Sequence, residues 1–358
     1  MIRAALARFN LAALTHNLRR VRTYAPHAKL LCVVKADAYG HGASKIARAL
    51  NELTDGFAVA MAHEARVLRE HGVTAPILVM GGFLSSEELA FLAYADATLT
   101  VHQPYHVTLL KETQLTKPVN TWIKVDTGMH RLGIPYTQLR DIIEALRSIP
   151  HVRVTGIMTH FACADEVNHT LTAQQIQRFD EITFGLDLPQ SLSNSAAIIT
   201  LPHAQRDWVR PGIMLYGISP FMDRRAAELD LKPVMTLTSQ LIAVNSVRAG
   251  ETIGYGAAWT CTNDTRVGVV GLGYGDGYPR HAPSGTPVLI GGRRVPLIGR
   301  VSMDAICVDL HAAPEANPGD TVTLWGEGLP IEEIASAAGT IGYELTCKIT
   351  SRVKREYI

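Results

Sequence analysis

The hydrophobic residues of this chain follow one rhythm up to about residue 230 and a different one after it. In the first part, short apolar runs recur at residues 30–34, 57–60, 77–80, 97–100, 122–125 and 152–158. Stretches with helical spacing lie between them. Leu11, Leu14, Leu18 and Val21 return every three or four residues behind Asn10, a residue type that caps helix N-termini. Leu139, Ile142, Ile143 and Leu146 repeat the pattern. Apolar runs without polar alternation fit strands buried on both faces. Each is followed by an amphipathic helix, which predicts a parallel sheet covered by helices. Six or more such units suit an α/β fold closed into a (β/α)8 barrel, the TIM barrel. An open doubly wound sheet is the alternative, but no G-x-G-x-x-G follows an early strand.

Beyond residue 230, apolar positions alternate with polar ones, as in residues 235–241. Residues 288–290 and 295–297 flank Gly291-Gly292, which predicts a hairpin. Residues 302–310 and 321–325 read as further strands and 331–338 as one helix. The expected organisation is a barrel over residues 1–230 and a mostly β domain over 231–358. No internal repeat or low-complexity tract interrupts either.

Composition narrows the function. Of 358 residues, 47% are hydrophobic and 19% charged, which is ordinary for a globular protein. Lys plus Arg (34) nearly balances Asp plus Glu (33). The balance leaves no basic footprint for nucleic acid or for an anionic membrane surface. The five cysteines are scattered without a C-x-x-C pair, which argues against a disulfide framework or a structural zinc site and for free thiols in a reducing compartment. No apolar run is long enough to span a bilayer, and residues 1–8 lack the pattern of a secretory signal. The expectation is a cytoplasmic protein with no metal.

The segment Val33-Val34-Lys35-Ala36-Asp37-Ala38-Tyr39-Gly40-His41-Gly42 holds the most chemistry. It takes an apolar run into a lysine and then into a loop with a tyrosine, a histidine and two glycines. In a barrel, the C-terminal ends of the strands carry the active site. Desolvation there favours the neutral amine, which can condense with an aldehyde such as pyridoxal phosphate. A lysine ending a strand also simply snorkels to solvent. The form recurs in Lys124-Val125-Asp126-Thr127-Gly128-Met129-His130-Arg131-Leu132-Gly133. There a second lysine sits inside a buried run, where an unpaired ammonium is expensive. Arg131 could bind a carboxylate bidentately or stand as an ordinary surface arginine.

Further along come Thr159-His160-Phe161, Asn194-Ser195-Ala196-Ala197 and Trp208-Val209-Arg210-Pro211-Gly212-Ile213. A serine hydroxyl and glycine-loop amides suit a phosphate dianion. His160 alone reads equally as a structural histidine, and Pro211-Gly212 as a turn. Ile253-Gly254-Tyr255-Gly256 and Gly271-Leu272-Gly273-Tyr274-Gly275-Asp276-Gly277-Tyr278 set tyrosines among glycines, which permit close approach to a ligand and also build turns. There is no H-E-x-x-H, P-loop or G-x-S-x-G, so zinc peptidase, nucleotide hydrolase and serine hydrolase lack support.

These segments, together with Gly299-Arg300-Val301-Ser302-Met303-Asp304, resemble in order and spacing the motifs of bacterial alanine racemase, a fold type III pyridoxal-phosphate enzyme. The resemblance runs essentially end to end. It implies that Lys35 carries pyridoxal 5'-phosphate and serves as one catalytic base. Tyr255, reaching the site from the partner subunit of a homodimer, would be the opposing base. Tyr39, Ser195, Gly212 and Ile213 would hold the phosphate, Arg210 would face the pyridine nitrogen, and His160 would lie between Arg210 and the tyrosine. Arg131 and the Met303 amide would bind the substrate carboxylate, and Tyr274 would narrow the entrance. Lys124 corresponds to a lysine that is carbamylated in some members. Where some members place a phosphate-contacting tyrosine near the C-terminus, this chain has Ser351.

The implied chemistry is coherent, since inversion at the α-carbon needs bases on opposite faces. An arginine at the ring nitrogen makes the cofactor a weaker electron sink than a carboxylate there would, which disfavours transamination. The resemblance leaves rivals inside and outside the enzymes. A broader-specificity amino-acid racemase of the same fold is the alternative, although such racemases are typically exported and residues 1–8 lack a signal pattern. Decarboxylases of the same barrel type place an acid where this chain has Arg210. Barrel-only proteins that bind the cofactor without catalysis lack the second domain and so Tyr255.

Overall fold

The computed structural model of the chain describes residues 5–358. They form two compact units, one of residues 18–215 and one in which residues 216–358 are joined by those before residue 18.

The first unit is the α/β barrel that the apolar runs predict. Its strands are Lys29–Val33, Gly56–Val59, Ile77–Val79, Ala97–Val101, Val119–Asp126, Val152–Met158, Gln190–Ser191 and Trp208–Val209. They pair in parallel in that order, and the last returns to the first in the register Trp208↔Lys29 and Val209↔Leu30. Between the seventh and eighth strands the ring is drawn shut by isolated hydrogen bonds. The Arg210 N–H donates to the Ser193 carbonyl at 2.9 Å, and Ser191 Oγ donates to the Trp208 carbonyl at 2.8 Å. These two closing strands are two residues long and polar at Gln190 and Ser191, so no apolar run announces them.

The helices of this unit show why their sequences fold as they do. In Ala43–Leu50 the buried positions are Ala43, Ile46, Ala47 and Leu50, a single stripe at helical spacing. Leu139–Arg147 buries the expected Leu139, Ile142, Ile143 and Leu146. Ser85 caps the helix Ser86–Tyr94 by accepting from the Glu88 amide. Near the N-terminus of the chain, the helix Leu11–Tyr24 begins where expected, with Asn10 Oδ1 accepting from the Ala13 amide at 2.9 Å.

The second unit is mostly antiparallel sheet. Its spine is the 13-residue strand Met235–Val247, which pairs with Leu6–Phe9, Thr321–Trp325 and Thr265–Val270. The expected hairpin joins Pro287–Ile290 to Arg293–Ile298 in the register Ile290↔Arg293. Gly291 and Gly292 both have positive φ (57° and 76°), the requirement of the two-residue turn that matches strand twist.

Two expectations change. The division does not fall at residue 230 with everything before it in the barrel. Leu6–Phe9 has no place among the barrel strands, because its backbone pairs with Met235–Thr238 on one side and Lys354–Tyr357 on the other. In 302–310 only Ile306–Asp309 is strand. The carbonyls of Ser302 and Met303 accept instead from the Tyr274 and Gly275 amides, which holds that stretch as a loop.

Candidate functional site

In a parallel ring all strands end on the same rim, and five of the residues singled out from sequence lie there. Lys35 follows Lys29–Val33, Lys124 lies within Val119–Asp126, Arg131 lies in the loop beyond that strand, His160 follows Val152–Met158, and Arg210 follows Trp208–Val209.

Lys35 opens a turn that the sequence does not announce. Ala36, Asp37, Ala38 and Tyr39 all have φ between 52° and 54°, four consecutive non-glycine residues in the left-handed region. Each costs about 1–2 kcal/mol of backbone strain, so the turn persists only because its surroundings impose it. Glu64 is the main restraint. Its Oε1 accepts from the Ala36 amide at 2.6 Å, while Oε2 accepts from the Ala60 and Met61 amides. Asp37 Oδ1 accepts from the Ala43 amide at 2.7 Å, tying the far end to the next helix. The result turns Tyr39 back into the barrel, where it is buried.

There the Tyr39 hydroxyl lies so close to Gly212 that a Cβ at that position would stand 2.6 Å from it. Ser195 Oγ accepts from the Gly212 amide at 2.9 Å, and Ile213 follows at once. Tyr39, Ser195, Gly212 and Ile213, far apart in sequence as three segments, thus meet in one small cradle, with glycine admitting the Tyr39 hydroxyl where a side chain would stand.

Around this cradle the barrel gathers positive charge. Arg210 is buried and held only by neutral groups. Nη1 donates to the Ser191 carbonyl (2.9 Å) and Oγ (2.6 Å), and Nη2 donates to the carbonyls of Thr159 (2.6 Å) and Leu192 (3.1 Å). Nη2 also reaches His160 Nδ1 at 3.2 Å, which leaves the His160 proton on Nε2. Burial and the nearby Arg210, Lys124, Arg131 and Lys35 hold His160 well below the usual histidine range. Lys124 is buried, and among the described residues its amine makes no hydrogen bond or ion pair. Burial, then Arg210, Arg131 and Lys35, lower its pKa to about 8. Arg131 is exposed and likewise has no hydrogen bond or ion pair among the described residues. Such an arrangement can take an anion, or several.

Two family models cover the chain: alanine racemase N-terminal domain over residues 9–220 and alanine racemase C-terminal domain over 234–357. The chain belongs to the alanine racemase family. It is similar to the alanine racemases of Thioalkalivibrio sulfidiphilus (49% identical, covering 100% of both chains) and Vibrio cholerae (48%, 99% of both). Among solved structures it matches the biosynthetic alanine racemase of Pseudomonas aeruginosa with a TM-score of 0.97 at 48% identity, covering 99% of both chains. It also matches the alanine racemase of the D-cycloserine producer Streptomyces lavendulae with a TM-score of 0.92 at 32% identity, over 100% of this chain and 98% of the other. An enzyme of the isomerase class is the activity that goes with these relatives.

The remaining sequence-derived residues of this racemase-family chain lie in the β unit. Tyr255 sits on a short 3₁₀ turn between Gly254 and Gly256, both with positive φ, and is 69% exposed. Met303 is 51% exposed, and its amide donates to no acceptor among the described residues. Tyr274 stands on the 3₁₀ turn Tyr274–Asp276.

Sequence reasoning misses the supporting residues. Ser191 and Glu64 act on backbone or on Arg210 and carry no motif. Asp126 stands in the second lysine segment, where nothing in the sequence gives it a role. It accepts from the Gly128 and His130 amides at 2.9 and 3.1 Å and so shapes the loop bearing Arg131. Two buried histidines also escape notice. The His102 amide donates to His106 Nδ1, and burial and then His102 lower His106 to about 4. Their i, i+4 spacing, from the end of one strand into the helix Pro104–Glu112, is the one signal the sequence carries.

Two measurements check this geometry. The folded chain holds Lys124 below its unfolded value of 10.5, so at neutral pH, below both values, the folded state bears the full penalty of a buried cation. Lys124→Met is expected to raise stability at pH 7 by roughly 2–3 kcal/mol, an advantage that narrows as pH rises from 8 towards 10.5. Unfolding midpoints of the apoprotein in CO2-free buffer across that range check it. For the turn, Ala90→Gly in the right-handed helix Ser86–Tyr94 should cost about 1 kcal/mol, whereas Ala36→Gly relieves strain and should cost nothing or stabilise. Equal losses in thermal midpoint would contradict the left-handed assignment.

Proposed function

We propose that this chain interconverts L-alanine and D-alanine with pyridoxal 5'-phosphate, by proton removal on one face of the α-carbon and return on the other. The observation that carries the proposal is a lysine on a strained turn beside Lys124, Arg131 and Arg210, three cations without an ion pair among the described residues. A dianionic phosphate and a substrate carboxylate are the partners such charge calls for. The cradle of Tyr39, Ser195, Gly212 and Ile213 suits the phosphate, because Gly212 lets the Tyr39 hydroxyl approach the backbone segment that the Ser195 hydroxyl also reaches.

Bound pyridoxal phosphate supplies an electron sink that acidifies the α-carbon of an attached amino acid. Lys35 would hold the cofactor covalently and, once free of it, would take or give the α-proton from its own side. Arg210 is fixed by four protein oxygens and would face the pyridine nitrogen as a donor that keeps its own proton, which would leave that nitrogen unprotonated. Arg131 and the Met303 amide hold the substrate carboxylate, and Tyr274 narrows the approach. His160, kept neutral by burial and the surrounding cations, passes the influence of Arg210 to the phenol of Tyr255. An unperturbed phenol titrates near 10 and needs such help to act as a base.

Tyr255 is the base for the second face and works in a homodimer, each subunit lending its tyrosine to the other. Its exposure on a glycine-flanked turn supports this reading. A neutral Lys124 amine can add CO2, and the carbamate so formed would be an anion able to orient Arg131. Added bicarbonate should then erase the stability advantage of Lys124→Met. The reading is of a cytoplasmic enzyme serving D-alanine supply for peptidoglycan or alanine catabolism. No helix among the described residues is long and apolar enough to cross a membrane.

The deciding experiment is proton NMR of L-alanine with the cofactor-loaded protein in deuterated water, with D-alanine assayed in the same tube. Loss of the α-proton signal with D-alanine formation is expected, and Lys35→Ala should abolish both along with covalent cofactor. Exchange without inversion would remove Tyr255 from the mechanism. For the dimer, equimolar Lys35→Ala and Tyr255→Ala subunits, each inactive, should recover about a quarter of wild-type activity after exchange. Half the dimers are then mixed, and each has one intact site. No recovery despite subunit exchange would mean the tyrosine serves its own chain.

A further inference from the structure

In the β unit, Arg352 lies where three loops meet, and none of the roles described so far uses it. The first loop is the turn Tyr274–Asp276, the second the loop through Ser302, Met303 and Asp304, and the third residues 350–352. The backbones of the first two are already stitched together. The Tyr274 amide donates to the Ser302 carbonyl at 3.0 Å, and the Gly275 amide donates to the Met303 carbonyl at 2.9 Å. The third joins them through Thr350, whose amide donates to the Asp276 carbonyl and whose hydroxyl donates to the Gly275 carbonyl at 3.0 Å.

Arg352 adds charge to this knot. Its Nε stands 3.5 Å from Oδ1 of Asp276, a carboxylate with no solvent exposure, and its Nη2 donates to Asp304 Oδ1. Asp276 in turn accepts from the Gly273 amide through Oδ2 at 3.0 Å, closing the turn that carries Tyr274. A Cβ on Gly275 would collide with Arg352 Nη1, so glycine there makes room for the guanidinium beside the turn. One planar cation thus spans a carboxylate in the Tyr274 turn and a carboxylate adjoining Met303.

We propose that Arg352 is a positioning residue for substrate binding. It fixes the spacing between the Tyr274 ring and the Met303 amide, the two groups of this unit that meet the amino acid before and during its stay. The proposal rests on the reading of Tyr274 and Met303 given above. Arginine suits the task because its rigid fork can reach two carboxylates at once, through Nε and Nη2, where lysine offers a single point charge. Groups that touch the substrate equally in the ground state and the transition state affect KM and leave kcat alone. Loosening the clamp should therefore weaken binding and spare the chemical step.

The test compares wild type with Arg352→Met, Arg352→Lys and Asp304→Asn, all loaded with pyridoxal phosphate. Arg352→Met should raise KM for alanine about tenfold in both directions with kcat changed less than threefold. Amide hydrogen exchange at Tyr274 and Gly275 should speed up while the barrel amides keep wild-type rates. Arg352→Lys should recover part of the KM loss, and Asp304→Asn, at an exposed position that keeps the fold, should raise KM about threefold. Unchanged KM and unchanged exchange at both amides would overturn the proposal. So would parallel losses of substrate affinity, kcat and thermal midpoint, which mark a merely structural arginine. Failure of the wild type to invert alanine would fall on the proposed function instead. The exchange of the two amides in Arg352→Met, read without substrate, would still decide whether Arg352 clamps the turn.

Discussion

Uncompensated positive charge inside the barrel is the constraint on which the rest of the site depends. A buried cation normally finds a carboxylate. Arg210 here has only carbonyls, a hydroxyl and an imidazole, and Lys124 has no hydrogen bond at all among the described residues. The barrel scaffold carries this charge at a standing cost in stability, and an anionic ligand would relieve it. Burial and the same field hold His160 neutral, which removes it as a rival cation and leaves its proton on Nε2. Charge, tautomer and ligand preference follow from one arrangement.

A second cost, the left-handed turn after Lys35, has a related logic. Continuing the chain in the right-handed sense would carry Tyr39 elsewhere, and the cradle at Gly212 would lose its hydroxyl. Glu64 and Asp37 make the strained turn the stable one by accepting from amides at Ala36 and Ala43 that would otherwise be orphaned. The strain is therefore spread over a shell of hydrogen bonds that reaches into two neighbouring helices. The β unit shows a parallel case at Arg352, where a guanidinium and two carboxylates order loops that have no regular structure of their own.

Much of this is legible in the order of residues along the chain. The six longer barrel strands, the helix behind Asn10, the hairpin at Gly291-Gly292 and the segments bearing Lys35, Lys124, His160, Ser195 and Arg210 all follow from periodicity and local chemistry, which depend on near neighbours in sequence. The two closing strands do not show, because Gln190–Ser191 and Trp208–Val209 are too short to make a pattern. Nor does the membership of Leu6–Phe9 in the β unit, since a four-residue strand does not reveal which distant strand its backbone will pair with.

What the sequence by itself determined is the kind of fold and the inventory of reactive groups, together with the family to which their order and spacing belong. What only the tertiary structure decided is which groups share a field and which backbone is bent to bring them there. Lys124 becomes an amine near pH 8 because the barrel buries it and Arg210, Arg131 and Lys35 converge on it, and Gly212 becomes a cradle because Tyr39 is folded back against it. The physical reason is range. Periodicity and turn chemistry act over a few residues, whereas desolvation, charge coupling and steric enclosure act through space between segments far apart along the chain.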